Sequence, residues 1–245
     1  MKLYRTYDKV IIVALIIISF LFNNLSYSAK ASNFQDSGDK VIYLTFDDGP
    51  IPGITEDILD ILKEYNVKAT FFVVGKEIKE REHILKRIHE EGHGIGLHTY
   101  SHKFSSIYKS QDEFIREMDE TRALVEEVIG LDTGAIRFPG GSDLMLSQRL
   151  LNKLHERDYR VYDWNASLED GVKGGASVKT LLENAKKIKG DKNRVFLLAH
   201  CNSNNRNTCK ALPSIIEYYK EQGYIFSVID ENTEEYYFKI RKNNK

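Results

Sequence analysis

Short β-rich runs alternate with amphipathic stretches from residue 41 to residue 229, and this alternation constrains the fold more than any other feature. It predicts parallel strands joined by crossover helices. About seven such units in one domain favour an α/β fold, a distorted (β/α) barrel, over the alternative of an open doubly wound sheet. The predicted strands are Val41–Phe46, Ala69–Val74, Gly94–His98, Ala135–Phe138, Val161–Trp164, Val195–His200 and Tyr224–Ile229. The predicted helices are Ile54–Tyr65, Phe114–Ile129, Ser147–His155, Val178–Ile188 and Leu212–Tyr219.

Length and charge limit the classes of function. The 245 residues suffice for one domain with a full core, which we place at residues 41–232 between a polar linker (32–40) and a polar tail (233–245). A formal net charge of −1 gives no reason to expect a nucleic acid partner. We expect a monomer.

The N-terminal segment has the composition of a secretory signal peptide. Lys2, Arg5 and Lys9 precede an apolar run from Val10 to Phe22, and small residues follow up to Ala31. The run is shorter than the ~20 apolar residues that span a bilayer, so we predict cleavage after Ala31 and a secreted or cell-surface protein. An uncleaved membrane anchor is the alternative, and would be the chain's only contact with a membrane.

Reactive side chains follow strand after strand at the carboxyl end. In a parallel barrel all of these ends open onto one face, where the active site is built. Residues that are distant in sequence are therefore expected to converge. These residues are Asp47, Asp48, His98, His102, Arg137, Asp163, Asp170 and His200.

Two histidines and a carboxylate make a candidate metal site. His98 and His102, four residues apart, can meet one ion if their segment is a helical turn, and Asp48 completes a set that leaves positions open for water and substrate. One divalent ion is expected, with zinc the first choice and cobalt, nickel or iron(II) also compatible. Taken singly, the Asp47–Asp48 pair could be an ordinary acidic turn, and the histidines could be structural.

The later strands supply further polar groups. Arg137 can pair with a carboxylate, and the Pro-Gly-Gly turn after it exposes N–H groups that could stabilise an oxyanion. Trp164 could stack on a sugar or be buried for structure. His200 ends a very apolar strand and needs a partner to stay protonated, unless it is simply a core histidine.

The remaining histidines and the two cysteines are given lesser roles. His83, His89, His93 and His155 lie in charged, helical stretches and are interpreted as surface or capping residues. Cys201 and Cys209 could form a local disulfide in an oxidising exterior, or remain free thiols, because sequence does not fix their separation.

Four motifs in order resemble the polysaccharide deacetylase domain, carbohydrate esterase family 4. They are Thr45-Phe46-Asp47-Asp48-Gly49, His98-Thr99-Tyr100-Ser101-His102, Arg137-Phe138-Pro139-Gly140 and Leu198-Ala199-His200. The resemblance extends over roughly residues 41–229 and implies a metal held by Asp48, His98 and His102. It also implies a general base, Asp47, which Arg137 orients, and a general acid, His200.

The resemblance further assigns the walls of the pocket, and the chain departs from the family there. Gly140 would supply an oxyanion N–H and Leu198 would contact the acetyl methyl group, but the family often has an aromatic residue where Gly140 stands. Asp170 matches the Asp of an Asp-Trp pair and is the first choice for tuning His200, with Asp163 second. Gly171 replaces the Trp. The absence of both aromatic residues predicts a more open or differently shaped groove, and Cys201 stands where the family frequently has Asp.

These observations predict a hydrolase that removes N-acetyl groups from an extracellular polysaccharide. Peptidoglycan N-acetylglucosamine is the first choice of substrate, ahead of poly-N-acetylglucosamine, chitin oligomers and acetylated xylan. A non-catalytic carbohydrate-binding protein is the alternative from another class. A metallopeptidase is disfavoured because the chain lacks an H-E-x-x-H motif.

Overall fold

The structure, a computed structural model, describes residues 40–171 and 175–240. The predicted signal peptide and almost all of the linker lie outside these ranges. The strands are β1 (Lys40–Asp47), β2 (Thr70–Val73), β3 (Gly94–Leu97), β4 (Ala135–Ile136), β5 (Arg160–Val161), β6 (Ala166–Ser167), β7 (Arg194–His200) and β8 (Tyr224–Ser227). The helices are α1 (Ile54–Glu64), α2 (Gly75–Ile78), α3 (Glu82–Glu90), α4 (Phe104–Ile107), α5 (Gln111–Ile129), α6 (Gln148–His155), α7 (Val178–Ala185) and α8 (Arg206–Glu221). Within the described ranges, no helix is both long enough and apolar enough to cross a bilayer.

The strands form one curled parallel sheet. Seven of them lie in the order β5-β4-β3-β2-β1-β7-β6, and β8 pairs with the first half of β1. This parallel half-barrel confirms the predicted α/β class, and a strand is found at each of the seven predicted positions, with one more in addition. The short strand β6, between Trp164 and Leu168, was not predicted, because two residues are too few to establish a periodicity.

Strand β1 divides its side chains between the two faces of the sheet. Ile42, Leu44 and Phe46 are buried in the main core beneath the helices. Tyr43, Thr45 and Asp47 therefore point into the barrel, because successive side chains of a strand alternate. Tyr43 stacks on Phe196 of β7 at 4.7 Å between ring centroids, in a second apolar cluster that fills the base of the barrel. Asp47 lies two levels above this base, at the carboxyl end.

Local signals set the helix boundaries. Helix α5 begins three residues earlier than predicted because the Ser110 hydroxyl accepts a hydrogen bond from the Glu113 N–H, and it ends at Gly130 with φ of 68°. Helix α8 begins at Arg206, not Leu212, and includes Pro213. Helix α3 was missed, although Ile84, Leu85 and Ile88 form a buried face.

The C-terminal segment closes one side of the barrel. Tyr236 forms a parallel bridge with Tyr162, directly after β5, and its ring stacks on Phe196 at 5.1 Å. The Phe238 N–H donates to the Asp163 carboxylate at 2.7 Å. Tyr236 and Phe238 thus anchor this segment, which has an otherwise polar composition, on the domain.

Candidate active site

A fully buried arginine fixes the orientation of Asp47. Arg137, directly after β4, donates from Nη1 to Asp47 Oδ1 at 2.9 Å and to Thr45 Oγ1 at 2.6 Å. Its Nε donates to the Tyr162 carbonyl at 2.7 Å, and its Cζ lies 4.1 Å from the centre of the Phe72 ring. Such pairing offsets the cost of burying the guanidinium charge. The second oxygen, Oδ2, faces the cavity and lies 3.7 Å from His98 Nε2.

Asp48 does not follow the alternation of side chains in β1, and its carboxylate lies beside the two histidines. Its φ of 78° is in the left-handed region, and this turns the side chain to the same side as Asp47. Oδ1 lies 3.4 Å from His102 Nε2 and 3.8 Å from His98 Nε2. Burial raises the pKa of Asp48, but the charges of His98, His200 and His102 outweigh burial and bring it below its ordinary value. The predicted Gly-Pro turn follows the pair, as expected.

The two histidines are held by different means. His98 Nδ1 lies 2.8 Å from the Arg137 carbonyl, which can only accept, so Nδ1 carries the proton and Nε2 offers its lone pair to the cavity. His102 is reached through a turn in which Thr99 has φ of 65° and His102 has φ of 52°. The segment is therefore not the helical turn that was predicted. The rings still meet, with centroids 5.0 Å apart.

This set of donors fits a divalent transition metal. One ligand atom from each of Asp48, His98 and His102 lies within 4.8 Å of the others. Two imidazole nitrogens and one carboxylate oxygen are the donors of catalytic zinc sites, and the Nδ1 hydrogen bond of His98 is the support that such ligands usually have. The three residues could therefore hold one ion beside Asp47.

His200 and Asp170 form a second polar unit across the cavity. His200 Nδ1 lies 2.8 Å from Asp170 Oδ1, and Oδ2 accepts from the His200 N–H, Asn205 Nδ2 and Thr208 Oγ1. Burial lowers the pKa of His200, but the Asp170 hydrogen bond and the charges of Asp47 and Asp170 outweigh it and raise the pKa to about 9. The imidazolium is therefore the form expected at neutral pH.

Asp163, the second choice for tuning His200, has a different position. It accepts hydrogen bonds from the Ser142 N–H at 3.1 Å, from the Ser142 hydroxyl and from the Phe238 N–H. Burial raises the pKa of its carboxyl group. Asp163 thus ties the loop after β4 to the C-terminal segment, and the partner of His200 is Asp170.

The polar groups surround one open cavity of about 420 Å³. The predicted residues Trp164, Gly140 and Leu198 are in its walls, as is Gly171, which replaces the Trp of the family motif. Phe104 and Glu169 are also in the walls and were not singled out from the sequence. The Phe104 ring is half exposed, packs edge-on against His102 at 5.6 Å, and lies 3.2 Å from where a Cβ on Gly140 would be. The space beside Gly140, predicted to be open, is thus partly filled by Phe104.

Gly171 also has a specific steric role in this site. A Cβ at this position would lie 2.7 Å from Cε1 of His200. The imidazole therefore occupies the space that a side chain at residue 171 would need, which accounts for the departure from the Trp of the family motif.

The cysteines and one histidine differ from expectation. Cys201 and Cys209 are free, buried thiols, so the disulfide that was one of the two alternatives is not formed. Cys201 Sγ lies 3.2 Å from the Asp47 carbonyl, and Cys209 Sγ faces the Ile54 carbonyl at 4.0 Å. His93, expected at the surface, is buried between α3 and β3, where its Nδ1 accepts the Ala69 N–H at 3.2 Å. The error arose because charged neighbours concealed a histidine whose own side chain points inward.

Comparison with known proteins agrees with the fold. Residues 34–162 match the family model described as polysaccharide deacetylase. A peptidoglycan-N-acetylglucosamine deacetylase of Bacillus cereus is 34% identical over 210 residues, which cover 82% of this chain and 74% of that protein. The catalytic domain of a peptidoglycan N-acetylglucosamine deacetylase from Eubacterium rectale superposes with a TM-score of 0.76 at 29% identity, covering 84% of this chain and 96% of that one. A Streptococcus mutans CE4 esterase gives a TM-score of 0.73 at 33% identity, covering 78% and 87%.

The half-barrel and the residues at its mouth define a hydrolase of the carbohydrate esterase class. The chain belongs to the polysaccharide deacetylase family, carbohydrate esterase family 4.

Proposed function

We propose that this protein is a metal-dependent N-deacetylase of a cell-wall polysaccharide, with peptidoglycan N-acetylglucosamine as its first substrate. The observation that carries the proposal is the convergence of Asp48, His98 and His102 on one point, with Asp47 beside them and His200 across the same cavity. The relatives described above support the choice of polymer, because two of them are peptidoglycan-N-acetylglucosamine deacetylases.

The roles of the side chains follow from which of their atoms are free. A divalent ion, zinc as the first choice, supplies Lewis acidity and makes water easier to deprotonate. Asp47 takes the proton of the attacking water through Oδ2, since Oδ1 is held by Arg137. His200, charged at neutral pH and held at Nδ1 by Asp170, gives the Nε2 proton to the departing amine. The products are acetate and a free amino sugar.

The walls of the cavity suit a sugar that carries an acetamide group. The N–H of Gly140 is proposed to stabilise the oxyanion, and Leu198 to contact the acetyl methyl group. Phe104 and Trp164, both partly exposed, offer aromatic faces on which the apolar side of a sugar ring can pack. Glu169 is also in the cavity wall and can accept hydrogen bonds from sugar hydroxyls.

The location in the cell is part of the proposal. A cell-wall polymer lies outside the cytoplasmic membrane, so the enzyme must be exported, as the sequence of residues 1–31 predicts. Cleavage after Ala31 would release the protein, whereas an uncleaved segment would retain it at the membrane. The N-terminal residue of the protein purified from its host distinguishes the two.

Acetate release tests the proposed activity. The purified protein is incubated with peptidoglycan, poly-N-acetylglucosamine, chitin oligomers and acetylated xylan, each with zinc, with cobalt and with a chelator. We expect the fastest metal-dependent release from peptidoglycan. Faster acetate release from another polymer would make that polymer the preferred substrate in place of peptidoglycan. Acetate release that continues in the presence of the chelator would refute metal dependence. Binding to the polymers without any acetate release would favour the non-catalytic alternative.

A further inference from the structure

The turn that carries His102 has an unfavourable backbone conformation. Thr99 and His102 both have positive φ values, 65° and 52°. A residue other than glycine in this region costs on the order of 1 kcal/mol and persists only where its surroundings impose the conformation. The position of His102 therefore depends on groups outside the turn.

One side of the turn is held by backbone bonds from α2. The Gly75 N–H donates to the Thr99 carbonyl at 3.0 Å, and the Lys76 N–H donates to the Tyr100 carbonyl at 2.9 Å. Within the turn, the Thr99 hydroxyl accepts the His102 N–H at 3.2 Å. These bonds do not involve the N–H of Ser101, the residue directly before His102.

A single side chain of α5 binds Ser101. Glu117 Oε2 accepts the Ser101 N–H at 2.8 Å, and the Ser101 hydroxyl lies 2.7 and 3.0 Å from the two carboxylate oxygens. The Ser106 hydroxyl, on α4, reaches Oε1 at 3.4 Å. One carboxylate thus joins α5 to both segments that flank His102.

The burial of Glu117 indicates that this contact is specific. The residue is 2% exposed and lies on the apolar face of α5 with Phe114, Met118 and Thr121. A buried carboxylate costs several kcal/mol unless hydrogen bonds compensate it, and an apolar side chain at this position would have no such cost. Arg116, the cation nearest to it, is 3.9 Å away and half exposed.

We infer that Glu117 is a positioning residue of the metal site, which fixes His102 Nε2 relative to Asp48 and His98 through Ser101. The inference rests on the proposed function only in its need for a divalent ion. Groups that orient ligands in this way typically change metal affinity by about 10–100-fold when they are altered. Loss of the Glu117 carboxylate should therefore weaken metal binding without removing any ligand.

The test compares two glutamates of the same helix. Glu117→Gln keeps the shape and one acceptor oxygen but replaces the other by an NH₂ group, so the side chain can no longer accept from both the Ser101 N–H and the Ser101 hydroxyl as the carboxylate does. Glu126→Gln makes the same chemical change on the exposed face of α5 and is the matched control. The dissociation constants of Zn²⁺ and Co²⁺ are measured by competition with a chromophoric chelator, and the melting temperature of each metal-free protein is recorded.

We expect Glu117→Gln to raise both dissociation constants by about 10–100-fold and Glu126→Gln to leave them unchanged. Dissociation constants for Glu117→Gln within about threefold of wild type, whatever its melting temperature, would overturn the inference. Should Glu117→Gln fail to fold, Ser101→Ala replaces it: this variant loses the hydroxyl contacts, keeps the N–H contact, and should bind both metals severalfold more weakly. Unchanged affinity in Ser101→Ala would then overturn the inference. A wild-type protein that binds neither ion would instead refute the proposed metal site.

Discussion

At the scale of the residue, one backbone angle separates two adjacent carboxylates into different tasks. Asp47 follows the alternation of β1 into the barrel, where Arg137 holds one of its oxygens. Asp48, with its positive φ, turns out of the strand and faces the histidines. The proposed general base and the proposed metal ligand are thus neighbours in sequence but have different partners.

Replacement of Asp47 by Asn should remove the base and keep the metal site. The amide fills the same volume but does not accept the water proton, so we expect the turnover number to fall by about 10²–10⁴-fold. Acetate release from the best substrate measures the change, and zinc affinity should stay close to wild type. Asp57→Asn, an exposed site on α1, is the control. Turnover within a few-fold of wild type would show that Asp47 is not the base.

Asp170 should set the pH at which His200 loses its proton. The pKa of His200 in the metal-free protein is expected at about 9, and Asp170→Asn should lower it to near or below the ordinary value of 6.5, since burial then dominates. Because the acid acts when protonated, the alkaline limb of the turnover profile should move to lower pH in the variant. NMR titration of the metal-free imidazole measures the pKa directly.

The raised pKa of His200 also determines how the stability of the fold should change with pH. A raised pKa means that the protonated imidazole stabilises the fold below pH 6.5, and that this contribution is lost as pH rises through about 9. A His200 resonance that titrates near 6.5 in the wild-type protein would contradict both expectations.

At the scale of the element, strand ends were predictable and the connections between them were not. Hydrophobic runs identify β1, β3 and β7. Asp47 and His200 are the last residues of β1 and β7, and His98 directly follows β3. Phe104 and Glu117 were missed because their roles depend on a left-handed turn that no periodicity reports. The available signal for Glu117 was an acidic residue at helical spacing from Phe114 and Thr121, on the face of α5 that is otherwise apolar.

The junction between α3 and β3 should make the stability of the protein sensitive to acid. Burial lowers the pKa of His93 to about 4. Because the folded state excludes a proton that the unfolded chain binds, stability is lost as pH falls below 6.5, on the order of 2 kcal/mol between pH 7 and pH 4.5.

Urea denaturation of metal-free protein at both pH values measures this loss. His93→Gln, which can still accept the Ala69 N–H, should lose less stability than wild type by about that amount. His83→Gln, on the exposed face of α3, should behave as wild type. An equal loss in His93→Gln and wild type would show that His93 does not carry the acid sensitivity.

At the scale of the whole molecule, the barrel is completed by a segment from the far end of the chain. Tyr236 bridges Tyr162 and stacks on Phe196, and Phe238 binds Asp163 and packs edge-on against Trp164 at 5.2 Å. Composition described residues 233–245 as a polar tail because the aromatic residues are interspersed with charges. The structure shows that these aromatic residues close the barrel beside β5, which composition alone does not indicate.

Tyr236→Ala should destabilise the domain and loosen the cavity wall. The ring is half buried, so we expect a loss of about 1–3 kcal/mol, less than for a fully buried aromatic residue. For a domain of this size this corresponds to a fall in melting temperature of roughly 2–10 °C. Lys239→Ala, exposed and three residues on, is the control. An unchanged melting temperature in Tyr236→Ala would show that the segment does not support the barrel.

Strand β1 hydrogen-bonds to β2, β7 and β8 and ends in Asp47, which Asp48 follows directly. Its neighbours come from residues 70–73, 194–200 and 224–227, so the strand is clamped by segments from the beginning and the end of the domain. Fraying of β1 would break its pairing with all three neighbours, and detachment of β2 or β7 would remove the strands that pair with Asp47 itself. Inactivation by heat should therefore coincide with global unfolding, and a protease that cleaves only surface loops should leave the activity intact.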